Sequence, residues 1–396
     1  MAEQSERATT SWLLDPEITY LNHGSVGACP REVLAEQRRI QEQMEREPID
    51  FFDRQGEALL DAAREALAAF VTAAPEELAF VPNATAGVNT VLRSLSFAPS
   101  DELLVTDHAY KACENALRFV ARRSGAQVVV APLPFPVASE QEIIAAVLER
   151  VTPRTRLALI DHITSPTALL LPVTQIVREL RERGVDTLVD GAHVPGQAPL
   201  DIDAIGATYY TGNCHKWLFA PKGSAFLHVR RERQSEIHPL IISHGYAATS
   251  DERSKFWLEF DWTGTADWSP FLALPRAISF HGELMPGGSA ALMAQNHALA
   301  LEARDLLAAA LKTDPPCPNS MVPAMTALPL PDRTDAEPTG YRTWDPLQQI
   351  LRYEHRIEAP ILAWPASPKR LIRVCAQIYN ERAQYERLAA VLRESV

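Results

Sequence analysis

Two neighbouring stretches decide the fold: residues 187–193, TLVDGAH, and residues 209–217, YYTGNCHKW. The first predicts a strand that ends in Asp190, and the second carries Lys216 one crossover later. Taken alone, Asp190 would fit an ordinary helix cap and Lys216 a solvated surface charge. Lys216, however, lies between His215 and the apolar run 217–221, WLFAP. Burial there would lower the pKa of the amine toward that of a nucleophile.

An acid and a lysine in this arrangement fit the needs of pyridoxal 5′-phosphate. A lysine amine can condense with the aldehyde of that cofactor, and a carboxylate facing the pyridine nitrogen keeps this nitrogen protonated. The ring can then accept electrons from a substrate carbanion. Asp190 and Lys216 are therefore the predicted catalytic and cofactor-binding residues.

The order of strand-like and helix-like segments predicts an α/β fold. After helices at 30–47 and 57–71, four apolar runs read as strands (102–106, 127–130, 156–161, 186–190), with amphipathic helices between them (110–122, 140–150, 173–183). This alternation predicts a mostly parallel sheet with helices on both faces and a ligand site at the carboxyl ends of the strands.

Beyond Trp268 the pattern changes and predicts a smaller α+β domain. A long helix is expected at 289–312 and short strands near 356–363 and 371–376. The proline-rich segment 314–338 is compatible with a linker or with ordered loops and strand edges. We expect a large domain over residues 20–267 and a small domain formed by residues 1–19 and 268–396.

Composition excludes several classes of partner. The 38 basic and 50 acidic residues give a net charge of −12, which repels nucleic acid and anionic membrane surfaces. The first residues do not form a secretory signal, and no run approaches the ~18 apolar residues of a membrane span. The five scattered cysteines include no Cys-x-x-Cys pair, which argues against a disulfide framework and a metal site. These features predict a soluble cytoplasmic protein without nucleic-acid or membrane partners.

The residues around Asp190 and Lys216 resemble the class V aminotransferase family, a group of fold-type I enzymes that depend on pyridoxal phosphate. The family signature is a strand ending in Asp-x-Ala-His or Asp-x-Ala-Gln, followed by Ser-x-His-Lys; Asn213 stands in place of that serine. The resemblance implies a mostly parallel central sheet of the seven-stranded type, with an antiparallel strand near 223–229. It also implies a homodimer with shared active sites.

A phosphate site is expected in residues 82–87, PNATAG, which precede an amphipathic helix. Backbone N–H groups and the Thr85 hydroxyl could hold a phosphate at such a helix start, although Asn and Thr also cap ordinary helices. The resemblance assigns the cofactor phosphate to this loop, to the family's serine position and to a threonine from the neighbouring subunit. The corresponding residues are Asn83, Thr85, Ala86, Asn213 with His215 beside it, and Thr265.

The resemblance also implies an aromatic or histidine ring over the cofactor face and a group beside its ring hydroxyl. Tyr110 is the first candidate for the ring and His108 the second, while the ordinary alternative is a tyrosine that starts a helix. Both are candidate catalytic proton donors. His193, three residues after Asp190, matches the position beside the hydroxyl.

An amino-acid substrate is implied by Arg373 in residues 371–375, LIRVC, which matches the arginine that pairs with a substrate α-carboxylate. A bidentate guanidinium suits that role, and a buried arginine without a partner would be costly. Residues 20–25, YLNHGS, and 355–360, HRIEAP, look most like the isopenicillin N epimerase branch of the family. This likeness assigns Asn22 and Ser25 to the substrate.

The type of reaction stays open among several alternatives. The family likeness favours an epimerase or racemase, with a carbon–sulfur β-lyase next, then an aminotransferase, and a cofactor-binding scaffold without activity as the non-enzyme alternative. Cysteine desulfurase chemistry needs a loop cysteine, and Cys317 in PPCP lacks that context. The choice depends on geometry around the α-carbon. A second question also stays open. A group of aromatic residues could line the substrate pocket or could only pack in the protein interior; they are Trp257, Phe260, Trp262 and Trp268.

Overall fold

The computed structural model describes residues 10–333 and 344–395 and is built around a seven-stranded sheet. Its strands are β2 (Leu78–Val81), β3 (Glu102–Thr106), β4 (Gln127–Ala131), β5 (Thr155–Asp161), β6 (Asp186–Asp190), β7 (Tyr209–Asn213) and β8 (Ala225–Val229), after a short β1 (Thr19–Tyr20) outside this sheet. The strand order is β2-β8-β7-β6-β5-β3-β4. Only β8 runs antiparallel to its neighbours, β7 and β2. The predicted mostly parallel sheet and its antiparallel strand are confirmed.

Helices cover both faces of this sheet. In chain order, the helices of the described residues, including those of the C-terminal part, are α1 (His23–Val26), α2 (Arg31–Arg46), α3 (Gly56–Val71), α4 (Ala84–Ser94), α5 (Lys111–Ser124), α6 (Glu140–Leu148), α7 (Val173–Glu182), α8 (Ile202–Ile205), α9 (Lys255–Phe260), α10 (Ser269–Leu272), α11 (Leu274–Glu283), α12 (Gly288–Leu311), α13 (Pro346–Tyr353) and α14 (Arg382–Ser395). A π-helical turn, Asp50–Gln55, leads into α3.

Side chains that alternate between the two faces of the sheet contribute to two separate hydrophobic cores. Leu103 and Leu159 pack in one core with residues of α4 and α5, whereas Leu104 and Ile160 pack in the other with residues of α3, α6 and α7. Successive strand side chains point to opposite faces, so a strand covered on both faces must be apolar throughout. This explains why β3 and β6 were predicted with their observed bounds.

A smaller sheet forms from the C-terminal part of the chain. Strands β9 (Met325–Leu330), β11 (Ile361–Ala363) and β12 (Arg370–Cys375) pair antiparallel in the order β11-β12-β9, and α12 packs against β9 and α14. Strand β10 (Ile357–Glu358) pairs in parallel with β1. The expected α+β unit is present, while the domain boundaries at residues 20 and 268 stay a prediction.

The linker alternative for the proline-rich segment is wrong over its described part. Residues 325–330 form edge strand β9, and Pro329 is tolerated there because an edge strand leaves one side of its backbone unpaired. Residues 334–338 lie outside the described part. Across residues 10–333 and 344–395, no helix has both the length and the apolar character needed to span a bilayer.

Candidate active site

The carboxyl ends of β5, β6 and β7 lie side by side and form one wall of a cavity. In the parallel ladders, Asp161 pairs with Asp190 and Asp190 with Thr211. Asp161 and Asp190 are both buried. This edge is where open parallel sheets place their ligands.

The cavity gathers most of the residues predicted for the site. The predicted residues that line it are Ser25, Asn83, Thr85, Tyr110, Asp190, His193, Asn213, His215 and Lys216. They come from five separate places in the chain, so the sheet topology, rather than sequence proximity, brings them together.

Lys216 follows β7 in a turn fixed by contacts to its backbone. The Nε2 atom of His23 lies 3.1 Å from the Lys216 carbonyl oxygen, and its Nδ1 lies 2.7 Å from the Tyr379 hydroxyl. Gly27 makes room for the turn: its φ is 70°, and a Cβ there would come within 2.3 Å of the His215 carbonyl oxygen. The main chain of Lys216 is thus held while its side chain points into the cavity.

The pKa of the Lys216 amine is shifted toward neutral pH. Loss of hydration, assisted by the positive charge of Arg373, lowers its pKa to about 8, although the charge of Asp190 opposes this shift. The Nζ atom lies 3.3 Å from Nε2 of His193. Burial, then the charges of Lys216 and Arg373, hold the pKa of His193 well below its usual value, so this imidazole is neutral. Its Nδ1 is buried without a partner among the described residues.

Asp190 is held by two donors behind the cavity wall. The Cys113 thiol donates to Oδ2 at 3.1 Å, and the Ala192 N–H donates to Oδ1 at 3.0 Å. Burial raises the pKa of Asp190, and the Cys113 and Ala192 hydrogen bonds and the charge of Lys216 counteract that rise. A cationic group brought next to this carboxylate would relieve its lost hydration.

The start of α4, where the sequence predicts a phosphate site, borders the cavity. Oδ1 of Asn83 caps the helix by accepting from the Ala86 N–H at 2.8 Å, and the Ala84 N–H donates to Oδ1 of Asn213 at 2.8 Å. Gly87 lets the helix approach the sheet, because a Cβ there would come within 2.2 Å of Thr211 Oγ1. The positive end of the helix dipole therefore faces the cavity beside Thr85.

Arg373 reaches the cavity wall from the buried strand β12. Its two terminal nitrogens donate to the Ser165 carbonyl oxygen at 2.6 Å and to Ser25 Oγ at 2.8 Å, and both serines line the cavity. Its Nε is buried without a partner among the described residues. Ser25 in turn donates to Asn22 Oδ1 at 2.5 Å, so Asn22 orients Ser25 and does not itself line the cavity.

Comparison with known proteins agrees with this geometry. The profile of the family described as aminotransferase class V matches residues 20–319. The chain belongs to the class V aminotransferase family. It is thus an enzyme of a family that depends on pyridoxal phosphate.

Curated relatives of the chain in this family include two kinds of enzyme. The isopenicillin N epimerase of Amycolatopsis lactamdurans is 37% identical over 395 residues, which cover 96% of each chain. A putative L-cysteine desulfhydrase 1 of Oryza sativa subsp. japonica is 34% identical, covering 94% of this chain and 82% of the relative.

Solved structures share the fold. A mutant of C-DES with glycine covalently linked to its PLP cofactor superposes with a TM-score of 0.78 at 21% identity, covering 96% of this chain and 97% of that chain. The Escherichia coli cysteine desulfurase CsdA gives 0.77 at 18% identity, covering 99% and 98%. These likenesses establish the fold-type I architecture.

The residues present in the cavity fit the family's cofactor. The cavity is bordered by four groups: a lysine amine with a lowered pKa, a buried carboxylate, a helix start beside a threonine, and an imidazole with an unpartnered nitrogen among the described residues. Each matches one part of pyridoxal phosphate: aldehyde, ring nitrogen, phosphate and ring hydroxyl.

Three predicted residues lie elsewhere. His108 is fully buried outside the cavity lining, with Nδ1 2.8 Å from Thr167 Oγ1 and its ring edge-on to Trp364. Ala86 borders a second, apolar cavity, and Thr265 lines a third one next to Phe52. Tyr110, 45% exposed, is therefore the ring candidate that the cavity presents.

The aromatic group packs away from this cavity. The rings of Trp262 and Trp268 contact each other edge to face, with their centroids 5.7 Å apart. Phe260 and Trp268 border the apolar cavity instead. Sequence reasoning missed Asp161 as a cavity residue, although the strand 156–161 ends in this acid just as the strand 186–190 ends in Asp190.

Proposed function

We propose that this enzyme removes the α-proton of an amino acid and that a proton from a second group is added on the other face, as in an epimerase or racemase. The observation that carries the proposal is that two proton-bearing groups, Lys216 and Tyr110, line one cavity whose wall is backed by Arg373. The similarity to relatives named isopenicillin N epimerase supports the same reaction.

The cofactor would be held by the residues that border its predicted position. When bound, pyridoxal phosphate supplies an aldehyde that takes up the substrate amine and a ring that accepts electrons from the α-carbon. Asp190 would pair with the ring nitrogen and His193 with the ring hydroxyl. The phosphate would be held by Asn83, Thr85, Asn213 and His215, which line the cavity.

Proton transfer would use the two groups in different protonation states. With its pKa lowered to about 8, a minor fraction of the Lys216 amine is unprotonated at neutral pH, and this form can accept the α-proton. The Tyr110 hydroxyl would deliver a proton to the α-carbon, directly or through water. General acid–base groups of this kind contribute roughly 10²–10⁴-fold each.

Arg373 would orient the substrate by its α-carboxylate. Its guanidinium is already aimed at the cavity wall through Ser25 and Ser165, and a carboxylate is a stronger acceptor than either serine oxygen. Fixing the carboxylate also fixes which α-carbon bond stands across the cofactor ring.

A carbon–sulfur β-lyase is the second candidate, favoured by the similarity to relatives named L-cysteine desulfhydrase. Removal of the α-proton would then be followed by departure of a sulfur group from the β-carbon with the electron pair of its bond. No cysteine of the described residues lines the cavity, so a route through a cysteine persulfide has no nucleophile there.

Proton NMR in heavy water separates these reactions. We expect amino acids to exchange the α-proton and to accumulate the opposite enantiomer, whereas a keto acid with a released thiol would establish the lyase. Transfer of the amino group to an added keto acid would establish an aminotransferase.

A Tyr110→Phe variant sharpens the test. We expect it to keep α-proton exchange through Lys216 but to lose inversion, while Tyr353→Phe, at a distant exposed position, behaves like wild type. Inversion at the wild-type rate in Tyr110→Phe would contradict the role of Tyr110.

We further propose that the enzyme is a homodimer in which Thr265 serves the neighbouring site. Thr265 is exposed and lines no part of its own subunit's active cavity. Nearby, Leu240, Ile241 and Ile242 expose apolar side chains, and the first two border the apolar cavity. A cytoplasmic location stays a prediction from the sequence.

A further inference from the structure

Asp161 is a second carboxyl group beside Asp190 that the proposed function does not use. The two residues are Cα partners at the ends of adjacent parallel strands, and both line the cavity. Paired residues of parallel strands direct their side chains to the same face, so the two carboxyl groups are neighbours. Both residues are about 3% exposed.

The donors around the pair are unequally distributed. Asp190 accepts from the Cys113 thiol and the Ala192 N–H, and the charge of Lys216 acts on it. Asp161 accepts one bond, from the Tyr110 N–H at 3.3 Å. Two buried negative charges on neighbouring strands would repel each other strongly, and Asp190 has more support for its charge than Asp161 has.

We propose that Asp161 is a positioning residue that carries a proton in the resting enzyme, so that the Asp161–Asp190 pair holds a single negative charge. This charge stays on Asp190, where it is available to the ring nitrogen of the cofactor. The proposal rests on the proposed cofactor contact of Asp190, but not on which reaction the enzyme catalyses.

The electrostatic surroundings of Asp161 agree with this assignment. Burial and then the charge of Asp190 hold the pKa of Asp161 well above its usual range, and the Tyr110 N–H only partly offsets them. Cys113 on α5 is itself a thiol with a raised pKa and brings no positive charge. Asp107, beyond β3, points to the Leu133 N–H instead.

The same carboxyl also positions Tyr110. Its Oδ1 accepts from the backbone N–H of the residue that immediately precedes α5, and the Tyr110 side chain enters the cavity from there. Asp161 therefore connects two parts of the site, the anion at the ring nitrogen and the tyrosine. An Asp161→Asn change keeps an oxygen for the Tyr110 N–H and removes only the titration.

Infrared spectroscopy of the full-length holoenzyme tests the proton directly. At neutral pH we expect a carboxylic-acid carbonyl band that shifts in heavy water, is lost in Asp161→Asn and is retained in Asp186→Asn. Asp186 is the control because it begins the neighbouring strand β6 and forms an ion pair with Arg233 at 2.8 Å. An unchanged band in Asp161→Asn would mean that Asp161 is ionised and would overturn the proposal. Should Asp161→Asn not fold, Asp161→Thr, which also keeps an oxygen, replaces it.

The pH dependence of unfolding gives a second readout that is independent of activity. The native state keeps the Asp161 proton to higher pH than the unfolded state, whose aspartates titrate near ~3.9. The contribution of Asp161 to the free energy of unfolding is therefore fully present below the unfolded-state pKa, and it is lost as pH rises toward the native pKa of Asp161. We expect the free energy of unfolding of wild type to fall relative to that of Asp161→Asn across this range. Parallel curves would contradict the proposal, whatever reaction the enzyme proves to catalyse.

Discussion

Arg373 is the residue whose environment most directly implies a substrate group. It is buried in β12, its partners are neutral oxygens, and its Nε is unpartnered among the described residues. An arginine in such surroundings is costly unless an anion joins it. Arg373 therefore places a positive charge beside the cavity, where a substrate carboxylate could neutralise it.

Replacing Arg373 by lysine should weaken substrate binding more than turnover. Lysine keeps the charge but loses the two-nitrogen fork, so we expect KM to rise roughly 10- to 100-fold, the equivalent of one charge-assisted hydrogen bond. Steady-state kinetics measures this. Arg370→Lys is the control on the same strand, since Arg370 pairs with Asp345 at 2.9 Å. An equal rise in KM in both variants would contradict the substrate role of Arg373.

At this scale the sequence predicted the residues of local motifs better than those defined by pairing. Asp190, His193 and Lys216 belong to short patterns, and all three line the cavity. Asp161 could not be recognised as a site residue from the sequence, because only the register of β5 against β6 places it beside Asp190. His108 and Tyr110 are two residues apart, and only the fold determines which of them faces the cavity.

The element that positions the phosphate site is α4, and its distance from the sheet depends on Gly87. A methyl group at residue 87 would collide with the Thr211 side chain, whose hydroxyl donates to the Phe226 carbonyl oxygen at 2.7 Å. Helix α4 would have to move away from β7, and the Thr85 end would move with it.

Gly87→Ala should therefore lower both stability and cofactor affinity. We expect a loss of about 1–3 kcal/mol in the free energy of unfolding, the usual cost of overpacking, together with weaker binding of pyridoxal phosphate. Denaturant unfolding and cofactor titration measure the two effects. Gly282→Ala is the control: this helical glycine has its nearest neighbour atom at 3.8 Å, so it should be neutral or slightly stabilised. Full affinity in Gly87→Ala would contradict the close-approach role.

The elements themselves were predictable where apolar runs are long and regular. Strand β7, residues YYTGN, was not predicted as a strand because Gly and Asn are uncommon in strands. Pairing with β6 and β8 on its two sides outweighs that local preference. Strand β9 was not predicted because it contains Pro329, which the edge of the sheet accommodates.

At the scale of the whole molecule, the proposed homodimer concerns a surface that lies apart from the active cavity. The exposed apolar residues Leu240, Ile241 and Ile242 and the exposed Thr265 have no role within one chain's active cavity. Sequence patterns do not reveal this surface, because single exposed apolar residues are common and only the fold shows which of them border a cavity.

Ile241→Lys should shift the enzyme toward monomers and weaken cofactor binding with it. A lysine in an apolar interface would be desolvated without a partner. Sedimentation velocity at several concentrations measures the oligomeric state, with Tyr353→Lys, at a residue 71% exposed elsewhere, as the control. A wild-type protein that sediments as a monomer at every concentration would contradict the dimer.

The most direct test of the account is to find which residue carries the cofactor. We would reduce the holoenzyme with borohydride, digest it and identify the modified peptide by mass spectrometry. The account predicts a pyridoxal phosphate adduct on Lys216, absent from Lys216→Ala and retained in Lys222→Ala, whose amine is bound to the Gly27 carbonyl oxygen at 2.9 Å. An adduct on another lysine, or none in a protein that still binds the cofactor, would contradict it.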